Sequence, residues 1–286
     1  MTRFPVRCIA ALALAACASR STQTPTPAPA PAVAATRPAA PVPLRYAAGT
    51  GRYRYESQAH VEQDLMGQTQ SFDLSTGALV TVAVAEAAGH LGVGITIDSL
   101  KLSMPAGMPA PDSAELAAAR GQTVRIVSSP QGATISLTPP DSASATVQQV
   151  VAGFRDFLPQ LPAGSPDSGT TWTDSSSMTV PSQGLTLTVH TTRHHRVVGW
   201  EDRAGTRALH LATTATYTVS GSGQSQGQEL NLTGGGQRTS EAYVSAAGVY
   251  LQGSLSDSSL VNANVVSAGM VVPVRSRSRS TFTRLP

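Results

Sequence analysis

The segment TVHTTRHHRVV, residues 188–198, holds the densest group of imidazoles in the chain, and metal chemistry would be sought there first. On a helix, His190 and His194 would stand one turn apart and reach a single ion. Their neighbours are β-branched and alternate with polar residues, which is the pattern of a strand. On a strand, residues four apart are separated by ~13 Å, and adjacent His194 and His195 point to opposite faces. Neither pair chelates alone, so these read as solvent-facing strand histidines, with a metal or proton role as the alternative. His60 and His210 take the same reading. The sequence has no G-x-S-x-G, no S-x-x-K with partners and no H-E-x-x-H. The glycine-rich stretches 221–228 and 234–236 lack the strand–loop–helix frame of a phosphate cradle and read as flexible connections. Glu201-Asp202 and Asp167/Asp174 read as turn carboxylates that aid solubility. The expectation is a protein that is not an enzyme, with no catalytic residue, no metal and no cofactor.

RSRSRSTFTR, residues 275–284, is the most distinctive charged piece. On a strand, Arg275, Arg277 and Arg279 share one face at ~6.7 Å spacing. They form either an anion-facing stripe, for lipid headgroups or an acidic envelope polymer, or a set of like charges guarding a sheet edge. Trp172 and Trp200 read as core or rim anchors. The chain of 286 residues has a formal charge of +3, which would fit a nucleic-acid partner. The placement of charge removes that reading: from Leu44 onward 16 Lys and Arg face 17 Asp and Glu, leaving no global field for phosphate backbones.

The amino-terminal part has a different logic. MTRFPVR is a short basic region, and CIAALALAA (8–16) is an apolar run of signal-peptide length, too short to span a ~30 Å hydrocarbon layer. Leu14-Ala15-Ala16-Cys17 resembles the lipobox of bacterial lipoproteins. The resemblance implies cleavage before Cys17, leaving a 1–16 signal peptide and a mature first residue that carries a diacylglyceryl thioether and an N-acyl chain. Two or three acyl chains suffice for stable anchoring. Cys8 leaves with the signal, so no disulfide remains. Ala18 after the cysteine, by the sorting rule of enteric bacteria, implies the outer membrane. With Cys17 at its head, 17–43 is a Pro/Ala/Thr-rich tether that favours extended polyproline II and reaches roughly 80 Å.

The body, 44–286, must position whatever chemistry there is. RYRYESQAHVEQDL alternates with period two, one face polar and the other apolar, as in an antiparallel strand. ALVTVAVAE and HLGVGITIDSLKL continue the pattern, and Pro130-Gln131-Gly132 marks a hairpin. The segment 142–158 places Val147, Val150, Val151, Phe154, Phe157 and Leu158 at helical spacing, ended by Pro159. A shorter helix is read at 112–120. Eight further strand-like runs follow, among them LTLTVHTT, HRVVGWED, GQELNLT and RTSEAYVS. The fold class is mainly β: a large curved antiparallel sheet, half-barrel or open barrel, with one amphipathic helix packed on it. The layout resembles the half-barrels of envelope lipoprotein carriers and β-rich bacterial lipoprotein domains with a mid-chain FLPQLPAG…W segment. That resemblance implies a non-catalytic, membrane-anchored envelope lipoprotein that binds a lipid or other amphiphile in the sheet concavity, with Phe154 and Phe157 on its lid. The alternative is a structural or assembly lipoprotein acting through protein contacts.

Overall fold

The computed structural model describes residues 43–65, 67–104, 112–140, 144, 147, 150, 151, 153–182, 184–203, 205–225 and 228–286. The signal segment, Cys17 and the tether up to residue 42 lie outside the described residues.

The chain first makes a five-strand meander: β1 (Gly49–Leu65), β2 (Gln68–Ala87), β3 (His90–Ser103), β4 (Thr123–Ser128) and β5 (Thr134–Thr138). A short helix, α1 (Ser113–Ala118), follows β3, capped by Asp112, whose Oδ1 accepts the Ala114 amide at 2.9 Å. A six-strand meander comes next: β6 (Thr171–Ser182), β7 (Leu185–Arg203), β8 (Thr206–Ser225), β9 (Gln228–Ser245), β10 (Tyr250–Val265) and β11 (Met270–Arg284). β11 then returns to pair with β1, from Tyr53↔Arg284 to Gln63↔Val274. The result is a single antiparallel sheet in the order β5-β4-β3-β2-β1-β11-β10-β9-β8-β7-β6, whose two halves share one buried core. The stretch from 139 to 170 connects its two end strands, β5 and β6.

Alternation gives the sheet two unlike faces. On β1, Tyr53 and Tyr55 are buried while Arg52, Arg54 and Glu56 are exposed. We call the tyrosine side the inner face. Val80, Ile95, Ile97, Leu209 and Val244 are fully buried at one end of it.

Several elements differ from the sequence reading. LTLTVHTT and HRVVGWED are one continuous strand, β7, and GQELNLT and RTSEAYVS join as β9 straight through Gly234-Gly235-Gly236. The triple glycine is therefore no flexible connection. A Cβ at Gly236 would stand 2.5 Å from the Tyr217 hydroxyl and the Ser258 carbonyl, so the missing side chain makes room for Tyr217. Gly221, Gly223 and Ser225 likewise belong to β8.

An amphipathic helix over 142–158 is not among the elements of the described residues. Val147, Val150 and Val151 have helical backbone and are buried, and much of the rest of that range lies outside the described residues. From Gly153 the chain runs in tight turns closed by i→i−3 bonds: Gly153 N–H to Val150 O at 3.0 Å, Phe154 N–H to Val151 O at 2.9 Å, and Phe157 N–H to Phe154 O at 3.0 Å. Gly153 sits where a Cβ would come within 2.9 Å of the Tyr55 hydroxyl. The close approach of this plug to the sheet, not regular helix, sets the conformation here.

Candidate functional site

Phe154 and Phe157, at 0% and 1% exposure, drive into the inner face. Phe154 meets Tyr55 edge-on at 5.3 Å, and Phe157 meets Tyr53, Tyr250 and Phe282 edge-on at 5.2, 5.0 and 5.2 Å. Tyr46 donates to the Pro159 carbonyl at 2.5 Å, the Thr134 hydroxyl to the Arg155 carbonyl at 2.9 Å, and the Leu161 amide to the Gln131 carbonyl at 2.7 Å. These bonds pin residues 155–161 of the plug.

Beside the aromatic cluster runs a row of charge that the strand register builds. Asp174 on β6 faces Arg193 on β7, which faces Ala215 on β8, then Arg238 on β9 and Asp257 on β10. Ala215 is the small member of the row, and the space above it admits Asp156 from the plug. The Asp156 carboxylate bridges both arginines, at 3.4 Å to Arg193 Nη2 and 3.1 Å to Arg238 Nη1. Arg193 Nη1 also reaches Asp174 Oδ1 at 3.3 Å, and Arg238 Nε reaches Asp257 Oδ2 at 3.1 Å. Tyr217 donates to Asp257 Oδ1 at 2.9 Å. Burial, and then the Asp257 charge, push the Tyr217 phenol up to about 12.

His195 closes the row at the β6 side. It is buried, stacked on Trp172 at 4.9 Å, with Nε2 3.4 Å from Asp174 and Nδ1 2.9 Å from Thr213 Oγ1. Desolvation lowers its pKa against the pull of Asp174. The imidazole is held between two polar partners and a ring, an arrangement that braces the row. Arg155 lies at its edge. Burial lowers its pKa, and the Arg193 and Arg238 charges add to that effect against Asp156. Among the described residues its guanidinium makes no ion pair. A cavity of about 430 Å³ lies here, with Tyr55, Phe157 and Phe282 on one side and Arg155, Arg193 and His195 on the other.

Three sequence readings are corrected by this geometry. His195 is not solvent-facing, because it takes the inward parity of β7, whereas His190 and His194 are exposed. Asp174 is a member of the inner row and not a turn carboxylate. The edge-guarding reading of the arginine stripe fails because β11 is the sixth of eleven strands, between β1 and β10. Arg275 pairs with Asp64 at 3.1 Å. Arg277 and Arg279 open onto a groove of about 710 Å³ on the outer face. His60 binds Asp73 at 2.8 Å and His210 binds Glu201 at 2.8 Å. Trp172 and Trp200 are partly buried against the core. The sequence reading missed the charged row. Its signal was present: Asp174, Arg193, Arg238 and Asp257 are charged residues on the inward parity of their strands.

Among the described residues, no group of three or more His, Cys, Asp or Glu could hold a metal ion. None of the described helices is long and apolar enough to cross a membrane. No protein-family model and no curated protein matches the chain. Among solved structures, it is similar to Pseudomonas aeruginosa OccK2 (OpdF) at TM-score 0.29 and 8% identity, over 83% of this chain and 98% of that one. The same protein in complex with glucuronate gives TM-score 0.22 and 8% identity over the same shares.

Proposed function

We propose that the chain is a non-catalytic, membrane-anchored lipoprotein of the cell envelope, held by acyl chains on Cys17, whose half-barrel binds an amphiphile with an acidic head. The carrying observation is the chemical division of the inner face. The plug fills one end. At the other end Val61, Phe72, Leu74, Val219, Val261 and Val274 remain partly exposed. Between the two lies the cavity with the unpaired Arg155. Tyr55 and Val61 are six residue steps apart on β1, about 20 Å of strand along which an acyl chain can lie. On this reading Phe154 and Phe157, buried among the aromatic rings of the inner face with Phe157 lining the cavity, form the floor of the binding space and not its lid.

A second reading, a structural or assembly lipoprotein, draws on a different observation. Ile135 is 54% exposed on β5, an end strand of the sheet, and Val127 on neighbouring β4 is 38% exposed. An unpaired apolar edge is a pairing surface for another chain.

Titration of the full chain with an environment-sensitive fluorescent fatty acid separates the two. The amphiphile reading expects saturable binding, weakened about tenfold by Arg155→Gln through loss of a charge-assisted bond, and lost in Leu74→Asp. Absence of saturable binding to the parent protein overturns it and leaves the structural reading.

A further inference from the structure

We propose that the outer face carries a second, independent site, a groove for an acidic polysaccharide chain centred on Arg277 and Arg279. Arg277 and Arg279 carry a cost that has no structural return. The two guanidinium groups project from the same face of β11 at ~6.7 Å spacing and repel each other. β11 is a central strand, so the pair protects no edge. Arg275, two residues earlier, is neutralised by Asp64. Among the described residues no carboxylate pairs with Arg277 or Arg279. Their cross-strand neighbours are His60 and Gln58 on β1, and Ser258 and Ser256 on β10.

The groove around them has the dimensions of a chain and not of a single head group. Its lining runs from Ser103 on β3 to Gln237 on β9, across six strands. Five inter-strand spacings make roughly 24 Å. Beside the apolar Ala59 and Leu74, the wall offers hydroxyls such as those of Ser256 and Ser258 and the side-chain amides of Gln58 and Gln237, which hydrogen-bond to neutral sugar hydroxyls, while the two arginines take carboxylates through their paired N–H groups. Asp73 and Asp257 also line the groove, but their carboxylates are engaged, the first by His60 and the second by Arg238 and Tyr217. No Phe, Tyr or Trp ring lines the groove for a base to stack on, which disfavours single-stranded nucleic acid. A phospholipid head would engage the arginines and leave most of the polar length unused. An extended, hydroxyl-rich polyanion matches both.

The test uses the full chain carrying Cys17→Ser, so that no acyl anchor contributes. It is titrated with fluorescein-labelled oligogalacturonate, a labelled neutral maltohexaose control, and phosphatidylglycerol vesicles. The proposal expects oligogalacturonate to bind with an affinity that falls as salt rises, and maltohexaose not to bind. The double variant Arg277→Ser/Arg279→Ser should bind about tenfold or more weakly. Arg275→Ser should stay within about twofold, as expected for an exposed paired charge. If the double variant loses its cooperative melt, the single variants Arg277→Gln and Arg279→Gln carry the same comparison. The proposal is overturned if oligogalacturonate does not bind, if binding is indifferent to both arginines, or if only the vesicles bind in an Arg277/Arg279-dependent way. Fatty-acid binding at the inner face is read on the same variants and should be unchanged, so the two sites stand or fall separately.

Discussion

Phe154 is fully buried against Tyr55 and Phe282, and Phe157 sits among three aromatic rings. Truncating either leaves a cavity that edge-to-face neighbours cannot collapse into, so Phe154→Ala or Phe157→Ala should cost about 3–5 kcal/mol in a urea melt. A loss under ~1 kcal/mol would show that the two rings contribute little to the packing of the core. The sequence announced these two residues by their spacing, because burial of one side of a segment leaves the same i, i+3, i+4 trace whether the backbone is helix or successive tight turns. His195 was less legible, since parity alone says which face it takes only once the strand's inward face is known. Its lowered pKa has a definite consequence. Above the unfolded value near 6.5 both states are neutral and stability is complete. As pH falls below that value the unfolded chain takes up a proton that the folded chain resists, so stability is lost toward the lower folded pKa. The exposed His60, with its pKa raised by Asp73 and Glu62, acts with the opposite sign. Thermal melts between pH 7.5 and 5.5 should therefore show a fall that is smaller in His195→Gln than in the parent. An equal fall in both would assign the acid sensitivity elsewhere.

At the scale of elements, the plug is held to the sheet by two kinds of contact, aromatic packing and the carboxylate of Asp156. Asp156→Asn keeps the shape and removes the charge shared by Arg193 and Arg238, leaving two half-buried guanidinium groups with one carboxylate each. The expected loss is about 1–3 kcal/mol, together with faster proteolysis within 144–161 under native conditions. Parent-like cleavage would show that aromatic packing alone retains the plug. Gly236 makes a second test. Gly236→Ala pushes a methyl group toward the Tyr217 hydroxyl, which cannot yield without leaving Asp257. Overpacking of this kind costs about 1–3 kcal/mol, and a flexible connection would have tolerated it. The alternating strands of the first meander were readable because each has one wet and one buried face. β9 was not, because glycines carry no hydropathy signal and their role there is set by Tyr217 on the neighbouring strand. The row from Asp174 to Asp257 was hidden for a related reason: its members are far apart in sequence, and only the register of five strands lines them up.

Across the whole body, the distribution of polarity decides how the proposed lipoprotein meets its membrane. A barrel wall that faces lipid carries apolar residues outward and polar ones inward. On the two central strands the order is reversed: the outer side of β1 presents Arg52, Arg54, Glu56, Gln58 and His60, and the outer side of β11 presents Arg277 and Arg279, while their aromatic rings point inward. A surface of that kind gains nothing by entering hydrocarbon, and each charge would cost about 2–4 kcal/mol at the bilayer midplane. On the proposed reading, membrane residence comes from the acyl chains at Cys17. In cells, Cys17→Ser should incorporate no labelled fatty acid, and the fraction that is membrane-bound should come off in alkaline carbonate, whereas the parent should require detergent. The fluorescent fatty acid should still bind the released variant, because the inner face is untouched. Continued acylation of Cys17→Ser, or carbonate-resistant membrane residence of a Cys17→Ser chain that has lost residues 1–16, would refute the anchor and force a membrane contact onto a face that the strand pattern has built for water.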